Sequence, residues 1–136
     1  MSDETSIKEA NGSKKILVAD DESHILHVVS LKLRNAGYQV VTARDGQEAF
    51  DLANAEHPDL LITDYHMPQL SGLELCQKLK ADASTANIPA IMLTARGYHL
   101  EPSDTTQNGI LRMLSKPFSP RQLLATVQEV LLERAA

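Results

Sequence analysis

The stretch Ile16-Leu17-Val18-Ala19-Asp20-Asp21-Glu22 changes from four apolar residues to three acidic ones without a break. A short, uninterrupted apolar run is typical of a β-strand that is covered on both faces. Four further runs of this kind follow along the chain, at 38–43, 60–62, 88–93 and 110–114. The runs at 38–43 and 110–114 are more mixed in polarity, so we expect them at the two edges of a sheet.

Stretches with the period of an α-helix separate these runs. Apolar residues between Leu26 and Ala36 recur at intervals of three and four, and Gly37 then favours a helix stop. Residues 45–48 and 71–74 have the pattern of a capping box at a helix start. The segment at 119–122 combines a serine cap with a proline in the first turn.

Five strands that alternate with helices predict an α/β fold. The expected architecture is a five-stranded, doubly wound parallel sheet of the (βα)5 type, with right-handed crossovers. The helical signal is weakest between the fourth and fifth strands, because residues 96–108 are rich in Gly, Pro, Ser and Asp. We therefore expect the fourth helix to be short or frayed.

The chain has 136 residues, and its length and composition predict one globular domain at 14–136 behind a flexible polar tail at 1–13. The net charge of −5 argues against a partner such as nucleic acid or an acidic membrane surface. Cys76 is the single cysteine and cannot form an internal disulfide, and no apolar run approaches the ~20 residues that span a bilayer. We expect a cytoplasmic protein.

Polar side chains follow the apolar runs at the points where the strands are predicted to end. The carboxyl ends of parallel strands meet at one edge of a sheet, which is where ligands bind in such folds. The residues brought together there are Asp20, Asp21, Asp64, Thr94 and Lys116. Two carboxylates ~4 Å apart repel by roughly 4 kcal/mol at an effective dielectric constant near 20, so this cluster favours a bound cation. Oxygen ligands with open positions suit Mg²⁺.

The same group of side chains suits phosphoryl transfer. A carboxylate can act as a nucleophile and form an acyl phosphate. The ammonium of Lys116 and the hydroxyl of Thr94 could then bind the phosphoryl oxygens, a task of positioning and electrostatics.

Four motifs, in order, make the chain resemble the receiver domain of two-component response regulators over about 14–134. They are VADDE at 18–22, TDYHMP at 63–68 with SGLEL at 71–75, LTA at 93–95, and KPF at 116–118. The resemblance implies a flavodoxin-like strand order of 2-1-3-4-5. It also implies Mg²⁺ as cofactor and a sensor histidine kinase or histidine phosphotransfer protein as phosphoryl donor.

The resemblance also implies a role for each matching residue. Asp64 is the expected phosphoacceptor. Asp20 and Asp21 are the acidic pair that would hold Mg²⁺ together with Asp64 and the backbone carbonyl of His66. The switch hydroxyl is Thr94. Lys116 would contact the phosphoryl oxygens, and the bond between Lys116 and Pro117 is expected to be cis.

The chain departs from the family pattern at two positions. Three residues before the lysine, the family usually has a Tyr, Phe or His that rotates as a switch, whereas this chain has Met113. Met113 can change rotamer but offers no ring or hydrogen-bonding tip. After Gly109, Ile110 replaces the usual alanine. We still expect the readout surface to include the fourth helix, fifth strand and fifth helix, at roughly 96–134.

Function is predicted as that of a stand-alone response regulator, because the sequence ends at Ala136 without an output domain. Its signal would pass to an unknown protein target, and it would catalyse only its own phosphorylation and dephosphorylation.

One alternative is a small phosphatase of the haloacid-dehalogenase type, which would need an acid at the position of His66. Another is a binding module that keeps the fold without being phosphorylated. Residue by residue, Asp20 and Asp21 could cap a helix, Thr94 could fill a strand, and Lys116 could be solvated.

Overall fold

The computed structural model describes residues 14–95 and 100–135, which form one five-stranded parallel sheet. Its strands are β1 (Lys15–Ala19), β2 (Gln39–Ala43), β3 (Leu60–Asp64), β4 (Ala90–Thr94) and β5 (Ile110–Ser115). All four strand pairs are parallel, in the order β2-β1-β3-β4-β5. The predicted architecture and strand order are confirmed. The predicted tail at 1–13 lies outside the described residues.

Helices cover both faces of the sheet. They are α1 (Ser23–Asn35), α2 (Gly46–Glu56), α3 (Gly72–Lys80), α4 (Pro102–Thr105) and α5 (Pro120–Ala135), and a 3-10 turn at Thr106–Asn108 follows α4. Apolar side chains of α1 and α5 pack on one face of the sheet, and those of α2 and α3 pack on the other. The fourth helix is short, as predicted, although part of the segment assigned to it (96–99) is outside the described residues.

Burial along the strands agrees with the polarity of the apolar runs. Every residue of β3 and β4 is buried, because these strands have neighbours on both sides and helices on both faces. β2 and β5 contain partly exposed residues and lie at the two edges, as predicted. The covered strands bring their carboxyl ends to one edge of the sheet.

Side-chain capping contacts fix where α2 and α3 begin. Ser71 and Glu74 form a reciprocal capping box at α3, with Ser71 Oγ accepting from the Glu74 N–H and Glu74 accepting from the Ser71 N–H. At α2, Asp45 accepts from the Glu48 N–H, but the Glu48 carboxylate accepts from the N–H of Arg44. The predicted capping box at 45–48 therefore forms only in part, because its second hydrogen bond comes from the N–H of Arg44 and not from that of Asp45.

A bulge in β5 explains the charged residue within that apolar run. Ala90 pairs with Ile110, whereas Ile91 pairs with Arg112, so Leu111 is an extra residue on the edge strand. Arg112 forms an ion pair with Glu133 of α5. Beyond the bulge, the side chain of Met113 packs in the same apolar cluster as Ile110, on the face covered by α2 and α3.

Within the described ranges, no helix combines the length and apolar character needed to cross a membrane.

Candidate functional site

Three carboxylates meet at the carboxyl edge of the sheet. Asp20 follows β1 and is fully buried, Asp64 is the last residue of β3 and is 6% exposed, and Asp21 is exposed. One carboxylate oxygen from each lies within 4.8 Å of the others. The backbone fixes this arrangement, because the Asp20 N–H donates to the Ala43 carbonyl at 3.1 Å and Oδ1 of Asp20 accepts from the Glu22 N–H at 2.9 Å.

A lysine from the far end of the chain completes the cluster. Nζ of Lys116 lies 3.0 Å from Oδ2 of Asp20 and 3.3 Å from Oδ1 of Asp64. The Lys116 N–H donates to the Thr94 carbonyl at 2.8 Å, and the following peptide bond to Pro117 is cis. The end of β5 is thus tied to the end of β4, and the ammonium is directed between the two buried acids.

The charges in this cluster are unbalanced. Burial, followed by the neighbouring Asp20 charge, raises the pKa of Asp64 from 3.8 to about 6 despite the attraction of Lys116. Burial also raises the pKa of Asp20. Burial alone would lower the pKa of Lys116, but its hydrogen bonds to Asp20 and Glu22 outweigh that effect and raise it. One ammonium therefore compensates the acids only in part.

The donor set of the cluster fits a hard divalent cation. Its ligand atoms are carboxylate oxygens, which Mg²⁺ and Ca²⁺ prefer over softer metals. Burial raises the pKa values of Asp20 and Asp64, and the charge of Asp20 adds to the effect on Asp64, so a bound cation would stabilise their ionised forms. A site with two buried carboxylates and one exposed carboxylate, open to solvent on the side of Asp21, leaves room for further ligands to a metal ion.

Thr94 and Met113, the predicted switch residues, lie on β4 and β5, the two strands that follow β3 in the sheet. Thr94 is buried at the end of β4, one residue past Leu93, which pairs with Asp64. Met113 pairs with Met92, and Ser115 pairs with Thr94. Because residues two apart on a strand point to the same face, Thr94, Met92 and Met113 share one face of the sheet. Met113 is half-buried there.

His66 lies at the mouth of the cluster. Its exposed ring meets the ring of Tyr65 edge to face, with centroids 4.7 Å apart. His66 and Asp21 line a shallow depression of about 320 Å³ together with Met67, Pro68 and Ser71. The side chain of His66 is therefore beside the acidic cluster and outside its buried part.

Two features of this region were not predicted. Glu22 accepts from Nζ of Lys116 at 3.0 Å, as a third acidic partner of the lysine. An apolar groove of about 700 Å³ also opens beside Lys116, between the start of α1 and the loop at 116–120, and includes Ile25, Val28 and Phe118. A sequence signal for the groove existed, because Ile25 and Val28 are apolar but lie outside the regular stripe between Leu26 and Ala36.

Comparison with known proteins identifies a family and several relatives. The family model of the response regulator receiver domain matches residues 16–128. The probable transcriptional regulator ycf27 of Cyanophora paradoxa is 42% identical over 118 residues, which are 87% of this chain and 48% of that protein. The alkaline phosphatase synthesis transcriptional regulatory protein PhoP of Bacillus subtilis is 39% identical over 119 residues, 88% of this chain and 49% of its own length. The chain thus spans about half the length of these curated relatives.

Solved structures agree with the fold. The chemotaxis response regulator CheY4 of Vibrio cholerae superposes with a TM-score of 0.78 at 35% identity, covering 86% of this chain and 98% of that one. The receiver domain of the Francisella response regulator 1452 gives a TM-score of 0.79 at 31% identity, covering 91% of this chain and 100% of that one.

Proposed function

This chain belongs to the response regulator receiver domain family, and from that membership we propose that it accepts a phosphoryl group on Asp64 from a phosphohistidine donor. The observation that supports this proposal most directly is the position of Lys116, whose Nζ lies 3.0 Å from Asp20 and 3.3 Å from Asp64. An ammonium held against the nucleophile is placed to meet the charge of an incoming phosphoryl group.

The proposed chemistry is a displacement at phosphorus. A carboxylate oxygen of Asp64 attacks the phosphorus atom, the P–N bond to the donor imidazole breaks, and its electron pair returns to the ring nitrogen. Lys116 and the hydroxyl of Thr94 bind the phosphoryl oxygens. Asp20, Asp21, Asp64 and the backbone carbonyl of His66 would hold Mg²⁺. When bound, Mg²⁺ supplies positive charge that offsets the carboxylates and the phosphoryl oxygens.

Phosphorylation then shifts the balance between two conformations of the domain. Thr94 moves toward the phosphoryl group, and Met113, on the same face of the sheet, follows by changing rotamer. The surface that responds includes α4, β5 and α5. We propose that the chain acts in the cytoplasm as a signalling phosphoacceptor that catalyses only its own phosphorylation and dephosphorylation. That it works as a stand-alone regulator, with a protein target in place of nucleic acid, stays a prediction.

Intact mass measurement tests the phosphoacceptor assignment. Wild-type protein incubated with acetyl phosphate and Mg²⁺ is expected to gain one phosphoryl group, which maps after borohydride reduction to the peptide that contains Asp64. The acyl phosphate should be lost in hydroxylamine, as expected of a mixed anhydride. An unmodified protein would contradict the proposal and favour a binding module that keeps the fold without phosphorylation. A label on another residue would contradict the assignment to Asp64.

The apolar groove beside Lys116 is the proposed docking surface for the helix of the donor that bears the phosphohistidine. It runs along α1 and reaches the ammonium, so a helix lying in it would bring its histidine to the site. Ile25 and Phe118 also pack against the core, whereas Val28 is half-buried in the groove without belonging to the core cluster. Val28 therefore offers a probe of docking that spares folding.

Val28→Ser is expected to slow phosphoryl transfer from a phosphorylated histidine phosphotransfer protein by about tenfold, through loss of buried apolar area in the complex. The rate with acetyl phosphate should not change, because that donor needs no docking surface. Leu31→Ser is the matched control, since Leu31 is 52% exposed on the same helix and does not line the groove. Equal effects of the two substitutions, or slower reaction of Val28→Ser with acetyl phosphate, would contradict the assignment of the groove.

A further inference from the structure

Glu22 occupies a helix-capping position but does not cap the helix. It is the residue immediately before α1, where an acidic side chain usually accepts from the first backbone N–H groups. Its side chain makes no capping bond. Instead its carboxylate accepts from Nζ of Lys116 at 3.0 Å, across 94 positions of the sequence. The side chain is therefore directed to the phosphoryl-transfer site.

Three carboxylates surround the ammonium of Lys116. Nζ donates hydrogen bonds to Asp20 and Glu22 at 3.0 Å and forms an ion pair with Asp64 at 3.3 Å. A phosphoryl group that is to bind Lys116 must consequently compete with these carboxylates for the ammonium.

The three partners differ in how easily they can leave. Asp20 is fully buried, so without the lysine it would be a buried, unpaired charge. Asp64 is the proposed nucleophile and stays at the reaction centre. The side chain of Glu22 is 58% exposed and can rotate into water with little loss of stability, since solvated ion pairs contribute little to it. Glu22 is therefore the partner that gives way.

We infer that Glu22 is a positioning residue that competes with the phosphoryl group for Lys116 and thereby restrains phosphorylation. This inference rests on the proposed function of Asp64 and Lys116. In the unphosphorylated protein, Glu22 holds the ammonium at the mouth of the site and adds one more negative charge beside the position of the phosphoryl group. When the phosphoryl group arrives, Lys116 turns to it and the Glu22 carboxylate is released at the border of the apolar groove, which Glu22 also lines.

Binding of fluoroberyllate, which mimics the phosphoryl group on Asp64, tests the inference at saturating Mg²⁺. Glu22→Gln is expected to raise the affinity for fluoroberyllate by about threefold to tenfold, because a like charge near the bound anion is removed and a neutral amide holds the Lys116 ammonium less strongly than a carboxylate does. The affinity for Mg²⁺ is measured separately for each variant, so that a change in metal binding is not mistaken for the effect. Glu129→Gln is the matched control, with the same change of charge on an exposed residue well along α5.

Glu22→Asp distinguishes competition for Lys116 from the electrostatic repulsion between the carboxylate at position 22 and the bound anion. It keeps the charge but shortens the reach by one methylene group, so it should also bind fluoroberyllate more tightly than the wild type. If Glu22→Gln binds no more tightly than the wild type, or if Glu22→Asp binds with wild-type affinity, the inference is overturned while the proposed function stands. A wild-type protein that binds no fluoroberyllate at all overturns both.

A crystal structure of the wild type with Mg²⁺ and fluoroberyllate gives a second, independent readout. The distance between Nζ of Lys116 and the Glu22 carboxylate is expected to increase from 3.0 Å to beyond hydrogen-bonding distance. An intact ion pair in that complex would overturn the inference, because Lys116 would then serve both anions together.

Discussion

Asp64→Asn is expected to abolish the phosphoryl adduct and yet to make the metal-free protein more stable. The adduct is lost because an amide lacks the nucleophilic carboxylate oxygen. Stability rises because the ionised Asp64 lies in a buried site beside the Asp20 charge, which raises its pKa to about 6. We expect a gain of about 2 kcal/mol in the free energy of unfolding at neutral pH, somewhat less than the full shift of pKa would give, because the site is open to solvent on one side.

The gain in stability of Asp64→Asn should increase with pH. The pKa of Asp64 is raised in the folded protein above its unfolded value of 3.8. Its protonated form therefore stabilises the folded wild type at low pH, and this contribution is lost as the pH rises through about 6. The difference in stability between Asp64→Asn and the wild type should be small near pH 4 and full above about pH 7.

Urea denaturation in EDTA, followed across this pH range, measures the difference. Asp51→Asn is the control, because Asp51 is an exposed residue of α2 whose amide form can still accept from Gln47. Saturating Mg²⁺ should stabilise the wild type more than Asp64→Asn and so reduce the gap. A variant that is less stable than the wild type at neutral pH, or a gap that does not change with pH, would refute the electrostatic account of the cluster.

Most of the fold could be predicted from polarity along the chain. Continuous apolar runs predicted the covered strands, and the mixed runs predicted the edges, because burial on both faces leaves no place for polar side chains. The bulge at Leu111 could not be predicted, since it depends on how β5 pairs with Ala90 and Ile91 of β4. Arg112 interrupts the apolar run, but neither the bulge beside it nor its ion pair with Glu133 follows from the sequence alone.

The residues of the candidate site could be predicted because each one lies within two residues of the end of an apolar run. Strand ends lie at one edge of a parallel sheet, so sequence positions translate into spatial proximity. The partners of Lys116 could not be predicted in the same way. Glu22 would ordinarily be interpreted as a helix-capping acid, and only the three-dimensional position of Lys116 shows that its carboxylate is directed elsewhere.

Gly72→Ala is expected to destabilise the protein by about 3 kcal/mol and to impair phosphorylation as well. Gly72 begins α3, and its N–H donates to the Tyr65 carbonyl at 2.8 Å. A Cβ atom there would lie 2.4 Å from the backbone carbonyl oxygen of Asp64 and 2.8 Å from Sδ of Met92. The sulfur could move, but the carbonyl belongs to the residue that carries the nucleophile. Relief of this contact must therefore move the start of α3 away from the end of β3 or shift the end of β3 itself.

The phosphorylation rate of Gly72→Ala should fall by more than its loss of folded protein explains, because displacement of Asp64 separates it from Lys116 and the other acids.

Gly109→Ala is the control variant. Gly109 has a positive φ of 76°, and a Cβ atom added there would lie 3.5 Å from its nearest neighbour. Strain of about 1 kcal/mol is therefore expected without a steric clash. Gly109 lies before the first residue of β5, at the amino ends of the strands, whereas Asp64 lies at their carboxyl ends. Folded Gly109→Ala should take up phosphoryl from acetyl phosphate at the wild-type rate, whereas Gly72→Ala, assayed at a temperature where it is fully folded by circular dichroism, should be slower by about tenfold or more. Equal rates for the two folded variants would contradict the expected displacement of Asp64 by a methyl group at residue 72.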